Sequence, residues 1–263
     1  LQIKLSTGKL SKMNLKSFFL LSQTFFLVLN LSVSGQIIPE RQWPGYRGYF
    51  ASGVLDNANL PSEFDIEKAI NIRWKIPVPG MGISSPVIWG DRLFITTAIS
   101  EEDKAGFKPG PYGDVTPVKD ESVHTWKVYC IDKNTGRIIW ERSPYMGVPA
   151  IKRHPKSTHA NTSMAVDGKY AVAFFGSEGL YCYDFDGNLQ WKKDFGVLRS
   201  AFFIMKNAEW EFASSPVIFD GKVIIQCDVL ENSFLAAYDV RTGKELWKAD
   251  RDEYPGWCTP NIY

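Results

Sequence analysis

Beyond the first 35 residues, the apolar positions fall in short runs punctuated by Gly-Asp, Asp-Gly and Asp-x-x-Thr-Gly. Two patterns recur. One reads Ser85-Pro86-Val87-Ile88-Trp89-Gly90-Asp91-Arg92-Leu93-Phe94-Ile95, returns from Ser163 to Val172 and again from Ser215 to Ile225, and starts once more at Thr259-Pro260-Asn261-Ile262. The other runs from Tyr129 to Trp140, from Tyr181 to Trp191 and from Ala236 to Trp247. In each copy of the second pattern a Gly (Gly136, Gly187, Gly243) stands 4 residues before a Trp (Trp140, Trp191, Trp247).

One unit can be read physically. Two apolar strands joined by a Gly-Asp or Asp-Gly turn make a hairpin. A third strand ends at Asp132, Asp184 or Asp239, whose side chain can cap backbone N–H groups while the following Gly takes positive φ. A fourth strand is expected to end at the Trp. A four-stranded sheet is too thin to bury both faces alone, so it stacks on copies of itself. The repeated indole suits the space between copies. Radial stacking of such sheets is a β-propeller, so the expected fold class is all-β, with four-stranded antiparallel blades. Seven or eight blades are expected in a complete ring and about four in this chain. The stretch Arg73-Trp74-Lys75 reads as the last strand of an earlier blade. On that reading the 263 residues are a fragment, truncated at the C-terminal side.

Composition agrees: 14% aromatic residues with 21 Gly and 15 Pro suit short strands and tight turns. With 30 basic and 29 acidic residues the chain has no strongly basic field, which argues against a nucleic-acid partner. Met13 opens an export signal: Lys16, then Phe18–Leu21 and Phe25–Leu29, then the small residues Ser32-Val33-Ser34-Gly35. Its apolar stretch is broken by Ser22, Gln23, Thr24 and Asn30, so no membrane span is expected after cleavage. The expected organisation is an upstream leader over 1–12, a signal peptide over 13–35, an extended segment over 36–70 and a partial propeller over 71–263, in a periplasmic or extracellular protein. The four Cys match no zinc or haem spacing. Cys130 and Cys182 lie two residues before the turn Asp, where the third unit has Ala237, and read as small buried positions.

The strand-Asp-x-x-Thr-Gly-x-x-x-Trp pattern resembles the repeat of the pyrroloquinoline-quinone-like propellers. That group includes quinoprotein alcohol dehydrogenases and the propeller lipoprotein of outer-membrane protein assembly. Trp43-Pro44-Gly45-Tyr46-Arg47-Gly48, Arg153-His154-Pro155-Lys156-Ser157 and Phe174-Phe175-Gly176-Ser177-Glu178-Gly179-Leu180 resemble segments of its secreted bacterial members. Pyrroloquinoline quinone and calcium are implied as cofactors by this resemblance alone. None is assignable from the residues: there is no adjacent Cys pair, no metal site, and no catalytic residue or calcium ligand that maps position by position.

The densest polar loop holds Arg153, His154, Lys156 and His159 and precedes the first strand of a unit, where connections open onto an axial funnel. Trp210 and Trp257 hold equivalent places before later units. Together they are the candidate ligand-binding residues, for an anionic, hydroxylated, flat or sugar-like group. Residues 100–123 read as an insertion between the second and third strands of a blade, placed to cover the funnel or meet a partner. The primary expectation is an exported propeller that binds a small molecule or protein at its funnel, without redox chemistry of its own. The alternative is a quinone-dependent dehydrogenase of alcohols or sugars.

Overall fold

Three successive segments fold into the same antiparallel four-stranded sheet, each ordered along the chain. The computed structural model describes residues 37–102, 107–108, 110, 116–202 and 204–262; the leader and signal expected over 1–35 lie outside them. The first sheet comprises β1 (Val87–Trp89), β2 (Arg92–Ser100), β3 (His124–Asp132) and β4 (Ile138–Gly147). The second comprises β5 (Ala165–Val166), β6 (Tyr170–Phe174), β7 (Leu180–Asp184) and β8 (Leu189–Lys193). A short hairpin, β9 (Ala201–Phe202) with β10 (Met205–Glu209), intervenes. The third comprises β11 (Val217–Phe219), β12 (Lys222–Cys227), β13 (Phe234–Asp239) and β14 (Glu245–Asp250). These are blades of an all-β propeller, three of them complete among the described residues.

The strand period of two explains how the blades stack. Every residue of β6 is buried. Ala171 and Ala173 pack with Phe94, Val128 and Trp140 of the first sheet. Tyr170, Val172 and Phe174 pack with Val223, Ile225 and Tyr238 of the third. One strand thus serves two cores, which is why it reads as a continuous apolar run.

The third-to-fourth turns form as their residues predict. Asp132 Oδ1 accepts from the Thr135 amide at 2.8 Å and the Thr135 hydroxyl at 2.9 Å. Asp239 Oδ1 does the same with Thr242, at 2.8 and 2.7 Å. Those threonine hydrogen bonds hold both carboxyls below the usual carboxylate range. Gly136, Gly187 and Gly243 follow at φ of 74, 82 and 68°.

Three of the repeat indoles, Trp74, Trp140 and Trp191, rest on the turn of the next unit. A Cβ on Gly136, Gly187 or Gly243 would lie 2.7 Å from Trp74, Trp140 or Trp191 respectively. The same indoles donate Nε1–H to the carbonyls of Lys133 (2.8 Å), Phe185 (2.9 Å) and Val240 (2.8 Å), each one residue past the turn Asp. Across the sheet, Cys130 pairs with Trp140, Cys182 with Trp191 and Ala237 with Trp247. A small residue is needed there because directly paired residues share a face with the indole. Burial pushes the Cys130 thiol up to about 12 and Cys182 higher still, so both act as small hydrophobes.

Two boundaries differ from the sequence reading. The fourth strands do not end at Trp; they pair onward to Gly147, Lys193 and Asp250 after a register shift beside the Trp. Residues 73–75 and 259–262 form no strand, because no described residue offers them a ladder. Trp74 still docks, and Thr259 still takes its place in a relay along the inner strands: the amides of Ser85, Ser163 and Ser215 donate to the hydroxyls of Ser163, Ser215 and Thr259 at 2.9, 3.0 and 3.0 Å.

Candidate functional site

The segments leading into successive first strands meet at one end of the blades. Ile83 precedes β1, His154–Asn161 precede β5, and Trp210–Ala213 precede β11. From these segments Ile83, His154, Lys156, Ser157, Asn161, Trp210 and Ala213 line, with Trp257, a cleft of about 300 Å³. Its aromatic wall is continuous. Trp210 stacks on Phe202 (centroids 5.3 Å, 20°), lies 5.7 Å from Trp257, and meets His154 edge-on at 5.3 Å. Phe202 comes from the β9–β10 hairpin.

Hydrogen bonds fix the frame. Trp257 Nε1–H donates to the Glu211 carbonyl at 2.8 Å, and Asn161 Nδ2 to the Phe212 carbonyl at 3.1 Å. Asn161 Oδ1 accepts from the Thr158 amide, closing the loop around His159 and Ala160. The insertion between β2 and β3 reaches this loop: the Lys108 amide donates to Pro155 O, the Val118 amide to Arg153 O, and Lys156 Nζ bonds Gly110 O.

The six candidate residues therefore separate into two layers. His154, Lys156, Trp210 and Trp257 line the cleft, with the Lys156 amine already held by the insertion. Arg153 and His159 are buried behind it, at 1% and 5% exposure. Arg153 Nη1 donates to Ser157 O at 3.0 Å and so braces the loop.

Behind the cleft is a buried polar layer that joins His159 to residues of other elements. His159 Nδ1 pairs with Glu211 Oε2, and Trp126 Nε1–H donates to the His159 carbonyl at 2.8 Å. Glu211 takes φ of 66° and accepts its neighbour Phe212's amide on Oε1. A buried non-Gly residue in the left-handed region persists only where its surroundings over-determine it. Burial pushes His159 down and Glu211 up, which favours the neutral forms of both groups. Burial, reinforced by the Glu211 carboxyl, pushes Glu178 up to about 8. Its Oε1 accepts the Ala150 amide at 2.9 Å. His124 faces His159 at 4.9 Å and donates Nδ1–H to Ser122 O. Against its own burial, hydrogen bonds from Ser122 and Ser100 pull Asp120 down to about 2. None of these groups is among the residues that line the cleft.

The cleft does not fit calcium. No carboxylate lines it, and no cluster of three His, Cys, Asp or Glu able to hold a metal occurs among the described residues.

The family profile described as outer membrane protein assembly factor BamB matches residues 125–257. No curated protein matches the chain in sequence. Among solved structures, the chain is similar to a europium-containing methanol dehydrogenase (14% identity, TM-score 0.49, covering 80% of this chain and 32% of that one). It is also similar to the quinohemoprotein alcohol dehydrogenase from Comamonas testosteroni (17%, 0.44, 87% and 30%). BamB from Moraxella catarrhalis is a third (16%, 0.35, 66% and 39%). The chain thus spans between 30% and 39% of the length of these proteins.

Proposed function

Because the chain belongs to the outer membrane protein assembly factor BamB family, we propose that it is an exported binding or scaffold propeller whose funnel cleft holds its ligand. No helix among the described residues is long and apolar enough to cross a membrane. The observation that carries the reading is the convergence of His154, Trp210 and Trp257 from successive leading segments onto one cleft. Indole faces beside hydrogen-bonding Ser157 and Asn161 suit a flat, hydroxylated group, either a saccharide or a partner's side chain. The family description, an assembly factor, fits a module that holds rather than transforms.

Thermal shift with cellobiose and glucuronate tests this. Binding of at least one is expected, weakened about ten-fold by Trp210→Ala through lost stacking. Shifts identical in wild type and in both Trp210→Ala and Trp257→Ala would remove the cleft as the site. In a parallel assay with pyrroloquinoline quinone, calcium and alcohols or sugars, no reduction of an artificial electron acceptor is expected; reduction would favour the dehydrogenase reading.

A further inference from the structure

At the opposite end of the inner strands a second cavity of about 300 Å³ has a different chemistry. One wall is the turn end of the blades: Trp89, Asp167 and Phe219-Asp220-Gly221. The other is the segment after Trp43: Pro44, Gly45, Tyr46 and Gly48 to Ala51. That segment is fastened to the blades by backbone bonds, Ile88 N to Trp43 O at 2.7 Å and Val166 N to Pro44 O at 2.8 Å. Gly90 N donates to Gln42 Oε1 at 2.8 Å.

The fastening forces a sharp course. Arg47, Phe50 and Ala51 take φ of 62, 50 and 50°. Gly48 has no room for a side chain, since a Cβ would lie 2.7 Å from the Trp43 ring. Left-handed non-Gly residues in succession cost stability, and they cluster where the chain must present particular side chains. Here the course sets Phe50 4.3 Å from Tyr49 and 6.1 Å from Phe219, ring to ring, while Phe50 stays 48% exposed.

The lining holds five aromatic rings (Tyr46, Tyr49, Phe50, Trp89, Phe219) and two carboxylates, with no Lys, Arg or His. Asp220 is paired to Lys222. Asp167 uses Oδ1 to cap the amides of Lys169 and Tyr170 and forms no ion pair with a described residue. Ring faces attract cations, and a carboxylate beside them excludes anions.

We propose that this cavity is an aromatic cage for an alkylammonium group, carried by a small organic cation or by a lysine side chain. It lies apart from the funnel cleft and does not depend on the reading given to it. Saturation-transfer NMR on the full chain provides the test. Choline is compared with 3,3-dimethylbutan-1-ol, its neutral isostere, and Nα-acetyl-lysine amide with its neutral Nε-acetylated form. At least one cation should bind about five-fold or more tightly than its neutral counterpart; which one does so identifies the source. Asp167→Asn keeps the Oδ1 cap and should erase most of that preference. Phe219→Ala, at an exposed ring, should weaken the cation about three-fold or more. If neither cation exceeds its neutral counterpart, or if the preference survives both substitutions, the proposal is wrong.

Discussion

Gly136, Gly187 and Gly243 each serve two needs at once, a left-handed turn and an indole lying flat on the backbone. Gly221 separates the two, for it has φ of +69° and only open space within 4 Å of where a Cβ would stand. Gly221→Ala should therefore cost only backbone strain, about 1 kcal/mol. Gly243→Ala, with its Cβ 2.7 Å from Trp191, adds overpacking and should cost about 2–4 kcal/mol. Urea denaturation midpoints of the two variants check this; equal losses would show that the indole yields freely. This layer was legible in the sequence because turn, Gly and Trp lie within one short segment. The small residue opposite the Trp was legible only as a Cys-Cys-Ala correspondence, since the pairing that explains it runs between strands.

Among whole strands, burial grades steeply. β6 is buried at every residue and packs on both sides, whereas all six residues of β14 are exposed, Trp247 at 41%. Hydrogen exchange should follow, with the amides of β6, β7 and β12 exchanging slowest and those of β14 earlier. Equal protection would mean that the outer face of β14 is covered in solution. The strands themselves were readable from hairpin turns and apolar runs. The β9–β10 hairpin was not, because its exposed residues 204–207 carry no alternating pattern. Nor was the grip of the insertion on the His154 loop, which is made largely by backbone groups far apart in sequence. Trp210 and Trp257, at equivalent sequence positions, lie 5.7 Å apart ring to ring. Sequence position could not show that Arg153 and His159 turn inward, since that depends on Glu211 and Trp126 arriving from other elements.

For the molecule as a whole, the buried acids set the response to pH. Glu178 is held at about 8 when folded against 4.5 when free. Between those values the folded chain keeps a proton that the unfolded chain has lost, so stability falls as pH rises through the interval and levels above it. Glu211 acts in the same direction. His159, held below its free value of 6.5, acts oppositely, adding stability as pH rises toward 6.5. The opposing effects partly cancel below 6.5, and the glutamates act alone above it. Denaturation midpoints should thus fall between pH 6.5 and 8, and Glu178→Gln, which stays neutral, should flatten the fall. A midpoint that rises across that range would contradict neutral burial of these acids.

The docked indoles also have a direction in time. Each Trp bonds a carbonyl 59, 45 or 49 residues further along the chain, never one behind it. During synthesis Trp74, Trp140 and Trp191 therefore emerge before the turns that receive them. Until the receiving turn folds, each of these indoles stays uncovered. Assembly in the order of translation is built into the bonds themselves, and a pause between blades would be the moment at which such a chain is most exposed to wrong partners.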